Sequence, residues 1–178
     1  MLSDIFCDVH VIQGIDTLKG EIILKEEENN QKITVGGIPE EAILLKLDVD
    51  VKKEYKQKSF YLRRGVDFIH KGCDYVLILP VEKKVILFEL KSLKPKVKRY
   101  VEQFRASECF IRYCISLNDF IDNYSSDFQF HRVLFSTKNA NTLTRGMIDL
   151  TTEDKNGNSI EIKSPGFPDR IRLFKLLK

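Results

Sequence analysis

Asp74, Glu89 and Lys91 are the residues of this 178-residue chain whose types and spacing could do chemistry together. Asp74 stands at the head of the apolar run 73–79 (CDYVLIL), and Glu89 near the end of a second run, 85–90 (VILFEL), with Lys91 just past it. Period-two geometry puts Glu89 and Lys91 on one face of their strand and Leu90 on the other. Paired strands lie about 4.8 Å apart, so an antiparallel pairing across the polar turn at 80–84 brings Asp74 beside Glu89. Two carboxylates that close repel unless a hard cation lies between them, and Mg²⁺ is commonly held by one or two carboxylates plus substrate phosphates. A lysine at the edge of such a site can orient or help deprotonate a water and neutralise charge developing on phosphorus. The chemistry expected of this set is hydrolysis of a phosphodiester.

The tripeptide alone is not selective. An acid, any residue, then Lys also begins at Asp50, Glu54, Glu82, Glu153 and Glu161, and Asp149 with Glu161 and Lys163 even offers a decoy with an upstream acid. What distinguishes the chosen set is its setting in the most apolar strands of the chain, where an unpaired charge is costly. A basic amphipathic helix and a further strand follow it. The decoy runs into Ser-Pro-Gly-Phe-Pro, which cannot continue as a helix. The bland alternative is a pair of strand-end carboxylates facing solvent.

The elements that must position these residues follow from periodicity. Residues 1–24 read as one or two strands, and 25–32 (KEEENNQK) as a surface turn. Residues 43–51 alternate strictly and predict a half-buried strand with Asp48 and Asp50 on its polar face. A short helix fits 52–64. Both 73–79 and 85–90 are too apolar for one solvated face and predict central strands buried on both sides. Ser92 and Pro95 suit a helix start, and Val97, Tyr100 or Val101, Phe104, Ile111 and Ile115 carry helical spacing to about Leu117. A polar connection spans 118–127, a strand 128–136, and a hairpin the runs 148–150 and 159–162. Gly36-Gly37 reads as a turn, and Cys109 and Cys114 as small core residues of the helix. His10, His70 and His131 are isolated, and nothing pairs them with a nucleophile.

The sequence Cys-Asp-Tyr-Val-Leu-Ile, a turn, then Phe-Glu-Leu-Lys-Ser and a long helix carrying Gln103 resembles the core of the PD-(D/E)xK nuclease superfamily over roughly residues 66–136. The resemblance implies a restriction-endonuclease-like α/β (α+β) fold, a mixed central sheet flanked by helices, here with extra N- and C-terminal strands, in a single domain over 1–178. It implies Asp74, Glu89 and the Leu90 backbone carbonyl as ligands of Mg²⁺ or Mn²⁺, Lys91 as the catalytic lysine, and Gln103 as a residue near the reacting centre. Cys73 stands where the signature has proline. The upstream acid that related helices supply is assigned to Glu54, with Glu40 and Glu41 behind it. The function implied is a Mg²⁺-dependent endo- or exodeoxyribonuclease of a prokaryotic defence, restriction or repair system, with DNA as partner and a second protein or a second copy supplying the targeting. The alternative is a non-catalytic, nuclease-like subunit that binds nucleic acid or serves assembly.

Composition excludes several other classes. Apolar residues make up 43% and charged residues 31%, which is ordinary for a globular domain. No run of eighteen apolar residues exists to span a membrane. The first residues (MLSDIFCD) lack the basic n-region and apolar h-region of a signal peptide, so a cytoplasmic location is expected. Four cysteines without CxxC spacing suit reduced thiols rather than a disulfide scaffold or a zinc site. The net charge of +3 conceals an asymmetry. Eight bases and two acids lie between Lys83 and Arg105, while the rest of the chain carries a small acidic excess. Lys94, Lys96, Lys98 and Arg99 crowd the start of the expected helix, where the dipole and free N–H groups already favour an anion. These four are the expected nucleic-acid contacts. Neutralising Lys96, Lys98 and Arg99 together should weaken nucleic-acid binding for every sequence and flatten its salt dependence, because fewer counterions are released. Binding titrations across a salt series check this; an unchanged slope assigns the cluster to a merely solvated face.

Overall fold

The computed structural model describes residues 6, 19–26, 31–47, 71–91, 97–122, 127–136, 148–153, 156–166 and 168–177, with the backbone course alone at 97–99, 121, 122 and 148. The fold is α+β and mostly sheet. Its strands are β1 (Glu21–Glu26), β2 (Gln31–Gly36), β3 (Ile43–Lys46), β4 (Tyr75–Leu79), β5 (Lys84–Lys91), β6 (Gln129–Ser136), β7 (Ile148–Glu153), β8 (Ser159–Gly166) and β9 (Arg170–Arg172). The helices are α1 (Val97–Asp122) and the short α2 (Leu173–Leu177).

Six strands form the main sheet in the order β3-β4-β5-β6-β8-β7. The hairpin partners β4 and β5 are antiparallel, β6 returns parallel to β5 after the α1 crossover, and β7 and β8 form an antiparallel hairpin at one edge. A parallel neighbour needs a crossover of a dozen residues or more, and α1 provides it. As the unbroken apolar runs demand, every residue of β4 and residues 85–90 of β5 are buried.

The two faces of this sheet are covered differently. On one, Val76, Ile78, Val85, Leu87 and Leu134 pack beneath Tyr100, Val101, Phe104, Ile111 and Ile115 of α1. On the other, Leu77, Leu79, Ile86, Phe88, Leu90, Val133 and Phe135 meet Ile22, Leu24, Ile33 and Val35, together with Leu173 and Leu176 of α2. Those last strand residues belong to a second sheet, β1-β2-β9, in which β1 and β2 form a hairpin and β9 lies parallel to β2. Helices thus flank the main sheet as expected, α1 on one face and the short α2 on the other. A small sheet with one short helix takes the second side, because β1 and β2 turn apolar alternate residues towards it. Tyr75 pins the two sheets together, its hydroxyl donating to the Lys25 carbonyl (2.9 Å) and accepting from the Lys25 N–H (3.2 Å).

Several boundaries move for identifiable reasons. Strands β1 and β2 run into the polar segment expected to be a turn, pairing as far as Glu26 opposite Gln31. Alternation in β3 is present, but its second face is not solvated at Leu44, which joins the core under the small sheet while Leu45 faces the core under α1. Helix α1 continues past Leu117 to Asp122, since the polar Asn118 occupies the buried stripe one turn beyond Cys114 and Ile115. That same stripe leaves Cys109 exposed, which corrects its reading as a core residue; Cys73 and Cys114 are buried, and none of the three is in a disulfide. The turn expected at Gly36-Gly37 is corrected: Gly36 ends β2, and Gly37, at a φ of +81°, extends the pairing with its N–H donating to the Gly20 carbonyl, so the chain turns only at 40–41. The segments 48–70 and 92–96 lie outside the described residues, and with them Asp48, Asp50, the helix expected at 52–64, Ser92 and Pro95. His10 and His70 also fall outside.

Phe88 and Phe135 stack across β5 and β6 with ring centroids 6.0 Å apart, and both are fully buried. Phe88→Ala should therefore lower stability by about 3–5 kcal/mol, measured by denaturant unfolding. A loss under 1 kcal/mol would show that this core closes over the gap.

Candidate active site

The β4–β5 register places Tyr75 opposite Phe88; carried one residue further, it sets Asp74 opposite Glu89. Asp74 is the bend residue just before β4 rather than its first residue. Both side chains project to the α1 face, since Val76 and Ile78, and Val85 and Leu87, lie on that side at period two. The site is at the carboxyl end of β5.

Asp74 is held at three points. Its Oδ2 accepts the Leu90 N–H at 2.7 Å, and its carbonyl accepts the Leu47 N–H at 3.1 Å. Just ahead of it, the Cys73 N–H donates to Ser107 Oγ at 2.8 Å. Leu90, expected to offer its carbonyl, meets Asp74 through its N–H.

Glu89 is fully buried, and the Lys91 ammonium lies 2.6 Å from its Oε1. Burial and, next, the neighbouring Asp74 push the Glu89 carboxyl up to about 8, while Lys91 and hydrogen bonding oppose the rise. Lys91 alone therefore does not offset the burial of Glu89. Glu89 Oε2 has no hydrogen-bond donor among the described residues, and neither has Gln103 Oε1. Gln103 is buried on α1, and its Nε2 donates to the Gly72 carbonyl at 3.1 Å, two residues ahead of Asp74. Asp74 and Glu89 are the residues here that could hold a hard, oxygen-seeking cation. An added positive charge would also restore the ionised form of Glu89.

No family model matches this chain, and neither a curated protein nor a solved structure matches it. The site is therefore read from its own geometry.

Of the expected residues, Asp74, Glu89, Lys91, Leu90 and Gln103 come together. Lys98 and Arg99 lie in the first turn of α1, and Lys94, Lys96 and Glu54 fall outside the described residues. Glu40 and Glu41 occupy an exposed turn between β2 and β3. No group of three or more His, Cys, Asp or Glu gathers among the described residues, so the described carboxylate set is the pair Asp74 and Glu89. The decoy differs in environment: Asp149 faces Lys163 across β7 and β8, but Asp149 and Glu161 are both exposed.

Two groups escaped the sequence reading. Ser107 is fully buried against Cys73, the residue just ahead of Asp74. Glu108, also buried, pairs with Arg132 of β6 and with Arg112 one turn on (2.9 Å), while the Arg112 guanidinium lies 4.1 Å from the centre of the Phe130 ring. Burial alone would raise Glu108, but Arg132 and then Arg112 outweigh it and hold the carboxyl below its ordinary value. This cluster ties α1 to β6. The available signal was polar residues at 107 and 108, in the gap of the apolar stripe between Phe104 and Ile111. His131 carries a buried Nε2 with no hydrogen-bond partner among the described residues, and burial first, then Lys163, Lys84 and Arg132, push its imidazole below the ordinary value.

A carboxyl raised in the folded state lends stability at low pH that is lost as pH climbs through its folded value. Without divalent cations, the wild type should lose stability relative to Glu89→Gln as pH rises from about 5 to about 9. The rise from 4.5 to about 8 corresponds to roughly 5 kcal/mol at most. Denaturant unfolding of both proteins across this range checks it, and a pH-independent difference would contradict the burial of the charge.

Proposed function

We propose that this chain is a metal-dependent nuclease, a Mg²⁺- or Mn²⁺-dependent phosphodiester hydrolase acting on DNA, with a restriction-endonuclease-like core. The observation that carries the reading is Asp74 opposite Glu89 with Lys91 in contact at 2.6 Å. The order β3-β4-β5-β6, with α1 joining the last two, agrees with the core that the resemblance implies.

Asp74 and Glu89 would hold the cation, and when bound it supplies Lewis-acid polarisation of the phosphate and a more acidic water. The chain's own residues do the rest. The Leu90 N–H fixes one oxygen of Asp74. Lys91 is half-buried at the rim, where an ammonium can balance charge gathering on the phosphoryl oxygens. While it neighbours Glu89 it acts as a cation and hydrogen-bond donor, not as a base. Gln103 braces the backbone behind Asp74. The first turn of α1, with Lys98 and Arg99, would meet the phosphate backbone. No helix among the described residues is long and apolar enough to cross a membrane.

Asp74→Ala, Glu89→Ala and Lys91→Ala should each lower Mg²⁺-dependent cleavage of duplex or single-stranded DNA by on the order of 10²–10³ in proteins that remain folded by circular dichroism. Chelation should abolish wild-type cleavage. Full activity in all three variants would sink the reading. Preferential cleavage of RNA would reassign the substrate, and Mn²⁺ binding without any cleavage would point to the non-catalytic subunit.

A further inference from the structure

We infer that Ser107 is a positioning residue of this centre, acting on Asp74 through the backbone of Gly72 and Cys73. The inference rests on the proposed Asp74–Glu89 metal site. The β4–β5 ladder ends at Tyr75, and beyond it the Leu47 and Leu90 N–H groups hold Asp74 itself but not the residues that lead into it. Helix α1 takes over there. Ser107 Oγ accepts the Cys73 N–H at 2.8 Å and donates its proton to the Gln103 carbonyl at 2.8 Å. Gln103 Nε2 in turn donates to the Gly72 carbonyl at 3.1 Å. Two adjacent residues of the approach to Asp74 are thus clamped to one turn of α1, which also packs on β5. Ser107 is fully buried and 34 residues from Cys73 in sequence, so the bond is tertiary and excluded from water.

A hydroxyl donating to the carbonyl four residues back is ordinary for serine in a helix. The same hydroxyl accepting the Cys73 N–H is what gives it a role at the site. Ser116 supplies the contrast. Its Oγ donates to the Arg112 carbonyl at 2.9 Å on the exposed side of the same helix. Without the Ser107 hydroxyl the Cys73 N–H loses this acceptor, and the approach to Asp74 loses one of its two ties to α1. Groups that orient metal ligands from behind change metal affinity about 10- to 100-fold when removed.

The experiment uses the intact chain and Mn²⁺ alone as probe, followed by calorimetric titration and by hydrogen exchange. Ser107→Ala should weaken Mn²⁺ binding about 10- to 100-fold and speed exchange at the Cys73 and Asp74 amides, with exchange across β5 unchanged. Ser107→Thr keeps the hydroxyl and should restore binding, while Ser116→Ala should match the wild type. Wild-type affinity in folded Ser107→Ala, alongside lost affinity in Asp74→Ala, would overturn the positioning role and leave the metal centre standing. A folded Ser107→Thr that binds as weakly as Ser107→Ala would also overturn it. Undiminished Mn²⁺ binding in Asp74→Ala would instead remove the centre itself. If Ser107→Ala does not fold, wild-type exchange decides: a Cys73 amide as slow as those of β4 supports the clamp, and one as fast as an open loop refutes it.

Discussion

A glutamate with no solvent exposure, facing an aspartate across one strand pair, is the constraint around which this fold is arranged. Transferring a carboxylate into an apolar interior is strongly unfavourable unless it is paired and hydrogen-bonded. Here the compensation is partial. The Lys91 ammonium lies against one oxygen of Glu89, the Leu90 N–H satisfies one oxygen of Asp74, and the other oxygen of Glu89 lacks a donor among the described residues. Such an arrangement persists only where the surroundings over-determine it. The β4–β5 ladder fixes Glu89 from one side, and the hydrogen bonds of α1 to Gly72 and Cys73 fix the approach to Asp74 from the other.

The two faces of the main sheet divide the work accordingly. Beneath the small sheet the core is built from aliphatic and aromatic side chains, with Phe88 stacked on Phe135, and it supplies rigidity without polar chemistry. Beneath α1 the apolar packing is interrupted where the helix meets the head of β4 and the middle of β6. Gln103, Ser107 and Glu108 are all buried, and each has a named partner on the sheet side. Polar groups in a core are tolerated when they are satisfied. These three satisfy backbone and guanidinium groups that apolar side chains in the same places would leave stranded. The helix is therefore both the cover of the core and the brace of the site.

The hairpin that carries Asp74 and Glu89 was legible because its signals are local. Two unbroken apolar runs separated by a polar turn specify buried antiparallel strands, and period two then assigns faces without further information. An acid at the edge of each run stands out against that background, and helical spacing from Tyr100 to Ile115 marked α1 for the same reason. Less legible was anything set by partners distant in sequence. Strand β2 and the small sheet depend on packing between residues more than a hundred positions apart, such as Thr34 opposite Arg170. The end of α1 depended on whether Asn118 could be buried, which the polar character of the residue argued against.

Sequence alone thus determined the strand–turn–strand–helix–strand core, the identity of the facing acids and the lysine two residues on, since those follow from chain geometry over short spans. Tertiary structure decided what makes them a site. It buried Glu89 completely while leaving the equally spaced Glu161 in solvent, and it turned two polar interruptions of a helix stripe, Ser107 and Gln103, into a clamp on the residues before Asp74. Burial and hydrogen-bond partnership are properties of neighbours brought together from far along the chain, and no local periodicity encodes which neighbour arrives.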